Sequence, residues 1–244
     1  MAVNEVATVK SGGSDMQIFT SRPDGSGKSP AVIIIQEIFG VDAHIKQVTT
    51  RFSEQGYYAA TPELYHREGP NKVVPYLEMK AGSAIRQKLT NDDILADLKA
   101  TIEVLQNDPH VDADKIGIVG FCFGGFVTYL GSTLAEIKAA AIFYGGGILP
   151  RPDAPADAPR FLDKSADDVK APIISFWGAD DGGIPPATVR EIASTLKDKG
   201  KSIEVTIYEG AGHGFFCNDR GSYNKEAAND AWPKTLAFFK THLS

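Results

Sequence analysis

A chain of 244 residues, 43% of them hydrophobic, is long enough to bury one sizeable core and too apolar to remain disordered. Its formal net charge of −6, with no basic run long enough to track phosphates, excludes nucleic acid as an expected partner. No apolar run reaches the length of a bilayer span, and residues 1–15 lack the basic and apolar regions of a signal peptide, so no membrane partner is expected. Two cysteines, Cys122 and Cys217, make no disulfide scaffold, and the expected compartment is the reducing cytoplasm.

The first apolar runs, at 3–10 and 16–20, are short and partly alternating, as in a hairpin. At 31–36 the pattern changes. Ala31-Val32-Ile33-Ile34-Ile35 is continuously apolar, which fits a strand covered on both faces. A helix at 43–55 and a strand at 57–61 follow, then an insertion at 65–91. In the helix at 91–106, Ile94, Leu98, Ile102 and Leu105 recur at helical spacing, with Asn91 or Asp92 as N-cap. Beyond it come a strand at 115–120, a helix at 124–135 and a strand at 139–144. A second insertion, 145–170, is rich in Pro, Ala and Asp. A strand at 173–177, a helix at 186–199, a strand at 203–208 and a helix at 224–243 complete the chain. Such alternation implies an α/β fold, a mostly parallel sheet flanked by helices on both faces with right-handed crossovers. Without an internal repeat or a linker, residues 1–244 are expected to form a single domain.

Gly120-Phe121-Cys122-Phe123-Gly124-Gly125 stands between a strand-like and a helix-like run. This is the layout of a nucleophile elbow, with cysteine where G-x-S-x-G has serine. The bend needs neighbours without a Cβ, and the helix starting beneath Cys122 favours a thiolate. A thiol nucleophile requires a base, and the base a group that holds its tautomer. In α/β hydrolases these follow in the order nucleophile, acid, histidine. Here Cys122 is followed by Trp177-Gly178-Ala179-Asp180-Asp181 and then by Gly210-Ala211-Gly212-His213, each leaving the C-terminal end of a strand, where open α/β sheets place their sites. His213 is the expected base. Asp181 is chosen as the acid, with Asp180 as the fallback. His44, His110 and His242 read as solvated imidazoles, while His66 follows a strand end and is a lesser candidate for the cleft. After the strand at 31–36, the turn Gln36-Glu37-Ile38-Phe39-Gly40 can aim the Ile38 amide at the elbow. Together with the Phe123 amide it would form an oxyanion hole. Glu37, just past an apolar strand, is read as a carboxylate influencing the thiol's protonation.

With these residues assembled, the chain resembles the dienelactone hydrolase family of α/β hydrolases. The resemblance rests on Gln36-Glu37-Ile38-Phe39-Gly40, Thr61-Pro62-Glu63-Leu64-Tyr65, Gly117-Ile118-Val119-Gly120-Phe121-Cys122-Phe123-Gly124-Gly125, Trp177-Gly178-Ala179-Asp180-Asp181 and Tyr208-Glu209-Gly210-Ala211-Gly212-His213. It implies the α/β-hydrolase fold, a Cys122–Asp181–His213 triad, and hydrolysis of dienelactone, a cyclic enol ester carrying a carboxylate. It also implies that Glu37 holds the resting cysteine as a thiol until substrate displaces it. One departure concerns the substrate. Where dienelactone-specific members place an arginine shortly after the catalytic histidine, this chain has Phe215-Phe216-Cys217, and the next arginine is Arg220. Lys80 and Arg86 of the first insertion are replacement cations.

The expected function is therefore hydrolysis of a small-molecule lactone or activated ester through a cysteine thioester. No cofactor is expected; the histidines and cysteines lack metal-ligand spacing and no phosphate-cradling loop occurs. Two readings compete. One is a carboxylesterase or lactonase with another substrate. The other is a hydrolase-fold redox sensor in which Cys217, four residues after His213, traps Cys122 as a disulfide.

Overall fold

The computed structural model describes residues 2–244. Eight strands follow the order β1-β2-β4-β3-β5-β6-β7-β8. The chain divides into two compact units, and the boundary along the sequence falls inside β5 (Val111–Phe121). The first comprises residues up to Ile118 with Leu243 and Ser244; the second comprises 119–242.

In the first unit, β1 (Ala2–Ser11) and β2 (Ser14–Pro23) form an antiparallel hairpin. β2 pairs antiparallel with β4 (Tyr58–Pro62), which pairs parallel with β3 (Ser29–Ile35). Ala31 to Ile35 of β3 are wholly buried, as their unbroken apolar run requires, and burying each of the larger side chains stabilises by about 1.5–3 kcal/mol. α1 (Ala43–Glu54) starts at Asp42, whose carboxylate accepts the Ile45 N–H at 2.9 Å. The insertion at 65–91 contains a helix that the sequence pattern does not show, α2 (Met79–Lys88). It buries only Gly82 and Ile85, too little for a visible stripe. α3 (Asn91–Asn107) is capped by Thr90 rather than by Asn91 or Asp92. Thr90 Oγ1 takes the Asp93 N–H at 3.1 Å, and the Asp93 carboxylate takes the Thr90 N–H at 3.0 Å, a capping box.

In the second unit, β6 (Ile137–Phe143), β7 (Ile173–Gly178) and β8 (Ile203–Tyr208) are parallel in register Ala140↔Ile173 and Ile173↔Ile203. α4 (Phe123–Gly131) precedes β6, α5 (Phe161–Ser165) and α6 (Pro186–Asp198) lie in the two connections, and α7 (Lys225–His242) follows β8. α4 ends four residues before the expected 135, because 132–135 form turns that feed β6. Among the described residues, no helix is long and apolar enough to cross a membrane.

Candidate active site

β5 delivers the chain to Cys122, whose φ of 56° and ψ of −115° are a strained conformation for any residue with a side chain. Such strain costs about 1–3 kcal/mol and persists only where the surroundings over-determine it. They do so here. The Cys122 N–H donates to the Phe143 carbonyl at 3.0 Å, and the Cys122 carbonyl accepts the Gly125 N–H at 3.0 Å. Gly120 is required by close approach, since a Cβ there would overlap the Gly124 carbonyl and crowd the Thr128 hydroxyl. The result is a half-buried thiol at the foot of α4, whose first residue is Phe123.

Asp181 and His213 lie on the loops after β7 and β8. Asp181 is buried, and its Oδ1 accepts the N–H groups of Gly183 at 2.9 Å and Ile184 at 3.2 Å. Its Oδ2 takes His213 Nδ1 at 2.7 Å. Burial pushes the Asp181 pKa up, but the His213 bond and charge and the two amides outweigh it and hold the carboxyl below its usual range. Asp180 does a different job: it is exposed, and its backbone N–H donates to the Ala211 carbonyl at 2.9 Å, tying the two loops together. For His213, burial favours the neutral ring, yet the charge of Cys122, the bond to Asp181 and a hydrogen bond to Cys122 push its pKa up to about 10. With Nδ1 committed to Asp181, the ring's other nitrogen is the one left for the sulfur. The Tyr144 ring, on a backbone with φ of 39°, stands edge-on to the imidazole at 5.1 Å. Sequence reasoning passed over it, because a tyrosine at a strand end carries no signal of its own.

The other expected site residues lie in the first unit. Glu37 and Ile38 follow β3. Glu37 is buried, and its carbonyl accepts the Gly40 N–H and Gln36 Nε2, both at 3.4 Å. The two amides expected to form the oxyanion hole thus belong to different units, Ile38 to the first and Phe123 to the second.

His66 belongs to an interior network rather than a cleft. Its Nδ1 lies 2.9 Å from Ser14 Oγ and its Nε2 lies 2.8 Å from Arg67 Nη1. Arg67 also grips the fully buried Asp97 carboxylate at 2.8 and 3.0 Å, and Asp97 accepts the Ser11 hydroxyl at 2.6 Å. Serine, histidine and aspartate stand together here, but the Arg67 guanidinium bridges the imidazole and the carboxylate. Nε2 faces both the Arg67 guanidinium and, at 3.1 Å, the Asp97 carboxylate, and that carboxylate is already held by Arg67 and Ser11, so the ring is one member of a buried ion-pair network. His44, read as a solvated imidazole, is buried because it precedes Ile45 on the inner face of α1. Lys80 is exposed on α2.

Arg220 is closer to the site than its position in sequence suggests. Successive turns, Arg220 N–H to the Cys217 carbonyl at 3.2 Å and Tyr223 N–H to the Arg220 carbonyl at 3.1 Å, curl the chain back. Its guanidinium then covers Gly214, where a Cβ would overlap it, one residue from His213. Cys217 is fully buried, and neither Cys122 nor Cys217 is in a disulfide. Among the described residues, no group of three or more His, Cys, Asp or Glu could hold a metal ion.

The sequence matches the family model of the Dienelactone hydrolase family over residues 16–243. The chain belongs to the dienelactone hydrolase family. A Synechocystis sp. protein provisionally named a carboxymethylenebutenolidase is 40% identical over 228 residues, covering 92% of this chain and 91% of the relative. A Bradyrhizobium sp. protein, named with the same reserve a 2-oxo-3-(5-oxofuran-2-ylidene)propanoate lactonase, is 29% identical over 95% of this chain and 91% of its own. The crystal structure of a Klebsiella pneumoniae protein provisionally named a dienelactone hydrolase superposes with a TM-score of 0.87 at 32% identity, covering 98% and 99% of the two chains. This member of the dienelactone hydrolase family therefore has the α/β-hydrolase fold and is a hydrolase of ester or lactone bonds in small molecules.

Proposed function

We propose that the protein hydrolyses dienelactone, or a related enol lactone or activated ester bearing a carboxylate, through a Cys122–Asp181–His213 triad and a thioester. The observation that carries this reading is the position of His213, bonded to Asp181 at 2.7 Å on one side and to Cys122 on the other. Asp181 fixes the ring's tautomer, and His213 leaves Cys122 as thiolate. The thiolate attacks the lactone carbonyl, whose oxygen takes the negative charge and is held by the amides of Ile38 and Phe123. The carbonyl re-forms, the ring C–O bond breaks, and the enolate leaves with a proton from His213. His213 then takes a proton from water, the hydroxide attacks the thioester, and the thiolate leaves.

An enolate suits a thiolate nucleophile, because an ordinary alkoxide is a poorer leaving group than sulfur when the intermediate collapses. Glu37 keeps the resting sulfur protonated in this reading. Arg220, beside Gly214, holds the substrate carboxylate, which is the reason for preferring a charged lactone. Phe215-Phe216-Cys217 after His213 favours a second reading, an esterase or lactonase for neutral substrates. Residues 1–244 act as one catalytic domain, a reading favoured by the passage of β5 through both compact units. Two cysteines outside any disulfide fit a reducing cytoplasm.

Steady-state hydrolysis of dienelactone beside phenyl acetate, with wild type and Cys122→Ala, tests the proposal. The expected result is a preference for the charged lactone and no turnover by the alanine variant. No preference would favour the neutral-ester reading, and an active alanine variant would refute the nucleophile.

A further inference from the structure

The first insertion packs on the turn that carries the Ile38 amide, through the Tyr76 ring edge-on to Phe39 at 4.9 Å and through contacts to the backbone. The carbonyl of Glu37 is closed inward by Gly40 N–H and Gln36 Nε2. No peptide among the described residues is cis, so the N–H of the same peptide, that of Ile38, points the opposite way. The next carbonyl, of Ile38, accepts the Tyr65 hydroxyl at 3.1 Å. The same hydroxyl lies 3.5 Å from the Gly82 carbonyl, so its single hydrogen goes to Ile38. The third, of Phe39, accepts the Val74 N–H at 2.9 Å. Gly82 of α2 sits so close that a Cβ there would stand 2.5 Å from the Ile38 carbonyl oxygen. Tyr65 is 2% exposed, so water does not compete for the bond.

We propose that Tyr65 is a positioning residue for the oxyanion hole: by holding the Ile38 carbonyl, with Gly82 closing in behind it, Tyr65 fixes the plane of the turn and thereby the direction of the Ile38 N–H. The inference rests on the proposed function, in which that N–H stabilises the tetrahedral oxyanion. Rotation of the 37–38 peptide turns on the Cα atoms of residues 37 and 38. With the following peptide pinned by Tyr65, that rotation cannot be shared down the chain. Tyr65→Phe keeps the ring and removes only the bond, so the amide loses its orientation for part of the time. Loss of a whole oxyanion donor lowers kcat about 10²–10³-fold; a misdirected one is expected to lower it about tenfold. KM should stay within about twofold, because ground-state binding does not use the N–H.

Two variants and one inhibitor pair test this. Trifluoroacetophenone forms a tetrahedral adduct with a nucleophilic thiol and places an oxyanion in the hole; the corresponding alcohol binds without one. In Tyr65→Phe, affinity for the ketone should fall by the same factor as kcat/KM, while affinity for the alcohol is unchanged. Gly82→Ala should show the same signature with some loss of thermal stability, since its Cβ would stand 2.5 Å from the Ile38 carbonyl oxygen, a backbone atom that must shift to admit it. Full activity and unchanged ketone affinity in the folded variants would overturn the proposal, as would equal losses for ketone and alcohol. If Tyr65→Phe fails to fold, Gly82→Ala decides alone by the same criteria. Turnover that survives Cys122→Ala would instead refute the underlying mechanism, a result these two variants do not produce.

Discussion

Replacing Asp181 by asparagine isolates the carboxylate's charge from its shape. The amide oxygen of the new side chain can still accept the N–H groups of Gly183 and Ile184. Its nitrogen then faces His213 Nδ1 across the 2.7 Å now spanned by a hydrogen bond, donor against donor. The imidazole escapes by moving its hydrogen to the other nitrogen, which removes the lone pair that would take the Cys122 proton. A bond to a charged group contributes about 1.5–3 kcal/mol, or about one to two decades in rate. The wrong tautomer adds to this, because positioned general base catalysis is worth about 10²–10⁴-fold. The expected fall in kcat/KM for a phenyl ester is about 10²–10³-fold, measured in steady state. The pH dependence supplies a second check. His213 titrates at about 10 because the charge of Cys122 and the bonds to Asp181 and Cys122 outweigh its burial, so removing the Asp181 charge should lower that pKa and move the limb on which the base loses its proton to lower pH. Stability follows the same pair. The raised His213 pKa contributes stability that is full below 6.5 and lost as pH rises through about 10. The lowered Asp181 pKa contributes stability present above 3.8 and lost as pH falls through its depressed value. Both are complete only between 3.8 and 6.5, where the difference in melting temperature between wild type and Asp181→Asn should be largest. An asparagine variant within about threefold of wild type, with an unmoved pH profile, would refute the reasoning.

Arg220→Gln should lower kcat/KM for dienelactone about 10–100-fold, the effect of losing one charge-assisted bond, and leave a neutral phenyl ester unchanged; equal effects on both would remove Arg220 from the carboxylate subsite. Gly120→Ala should abolish turnover or folding, because its Cβ would overlap the Gly124 carbonyl; wild-type activity in a crystal-verified variant would show that the elbow has room. His66→Ala leaves the buried Asp97 and Ser14 short of a partner and should destabilise by about 2–4 kcal/mol in urea with kcat unchanged. A loss of kcat at full stability would return His66 to the catalytic candidates.

What the sequence disclosed, and what it concealed, divides along a physical line. Strands such as 31–35 are visible because burial on both faces demands an unbroken apolar run. α2 is hidden because it buries so little, and the capping box at Thr90 because three polar residues in a row compete for one cap. Asp180 and Asp181 are indistinguishable by composition. The difference between them arises from two backbone N–H groups downstream, at Gly183 and Ile184, that turn the second carboxylate inward. The thiol, the acid and the imidazole each follow a strand, so local pattern sufficed to nominate them. Arg220, Tyr144 and Tyr65 are brought to Gly214, His213 and the Ile38 carbonyl by the return of the chain in space, and nothing in their neighbours along the chain announces it. The Ser14–His66–Asp97 cluster is the converse case, in which residue types suggest chemistry but Arg67 ties the histidine and the aspartate into a buried ion-pair network.

The central claim is that the sulfur of Cys122 carries the acyl group. Rapid acid quench of the enzyme with dienelactone or an activated ester, followed by peptide mass mapping, tests it at the atom concerned. The account predicts one acyl adduct on the peptide containing Cys122, labile to hydroxylamine and accumulating in His213→Ala when an activated ester is used. Burst kinetics with the label on any other residue, or turnover with no adduct in either protein, would contradict it.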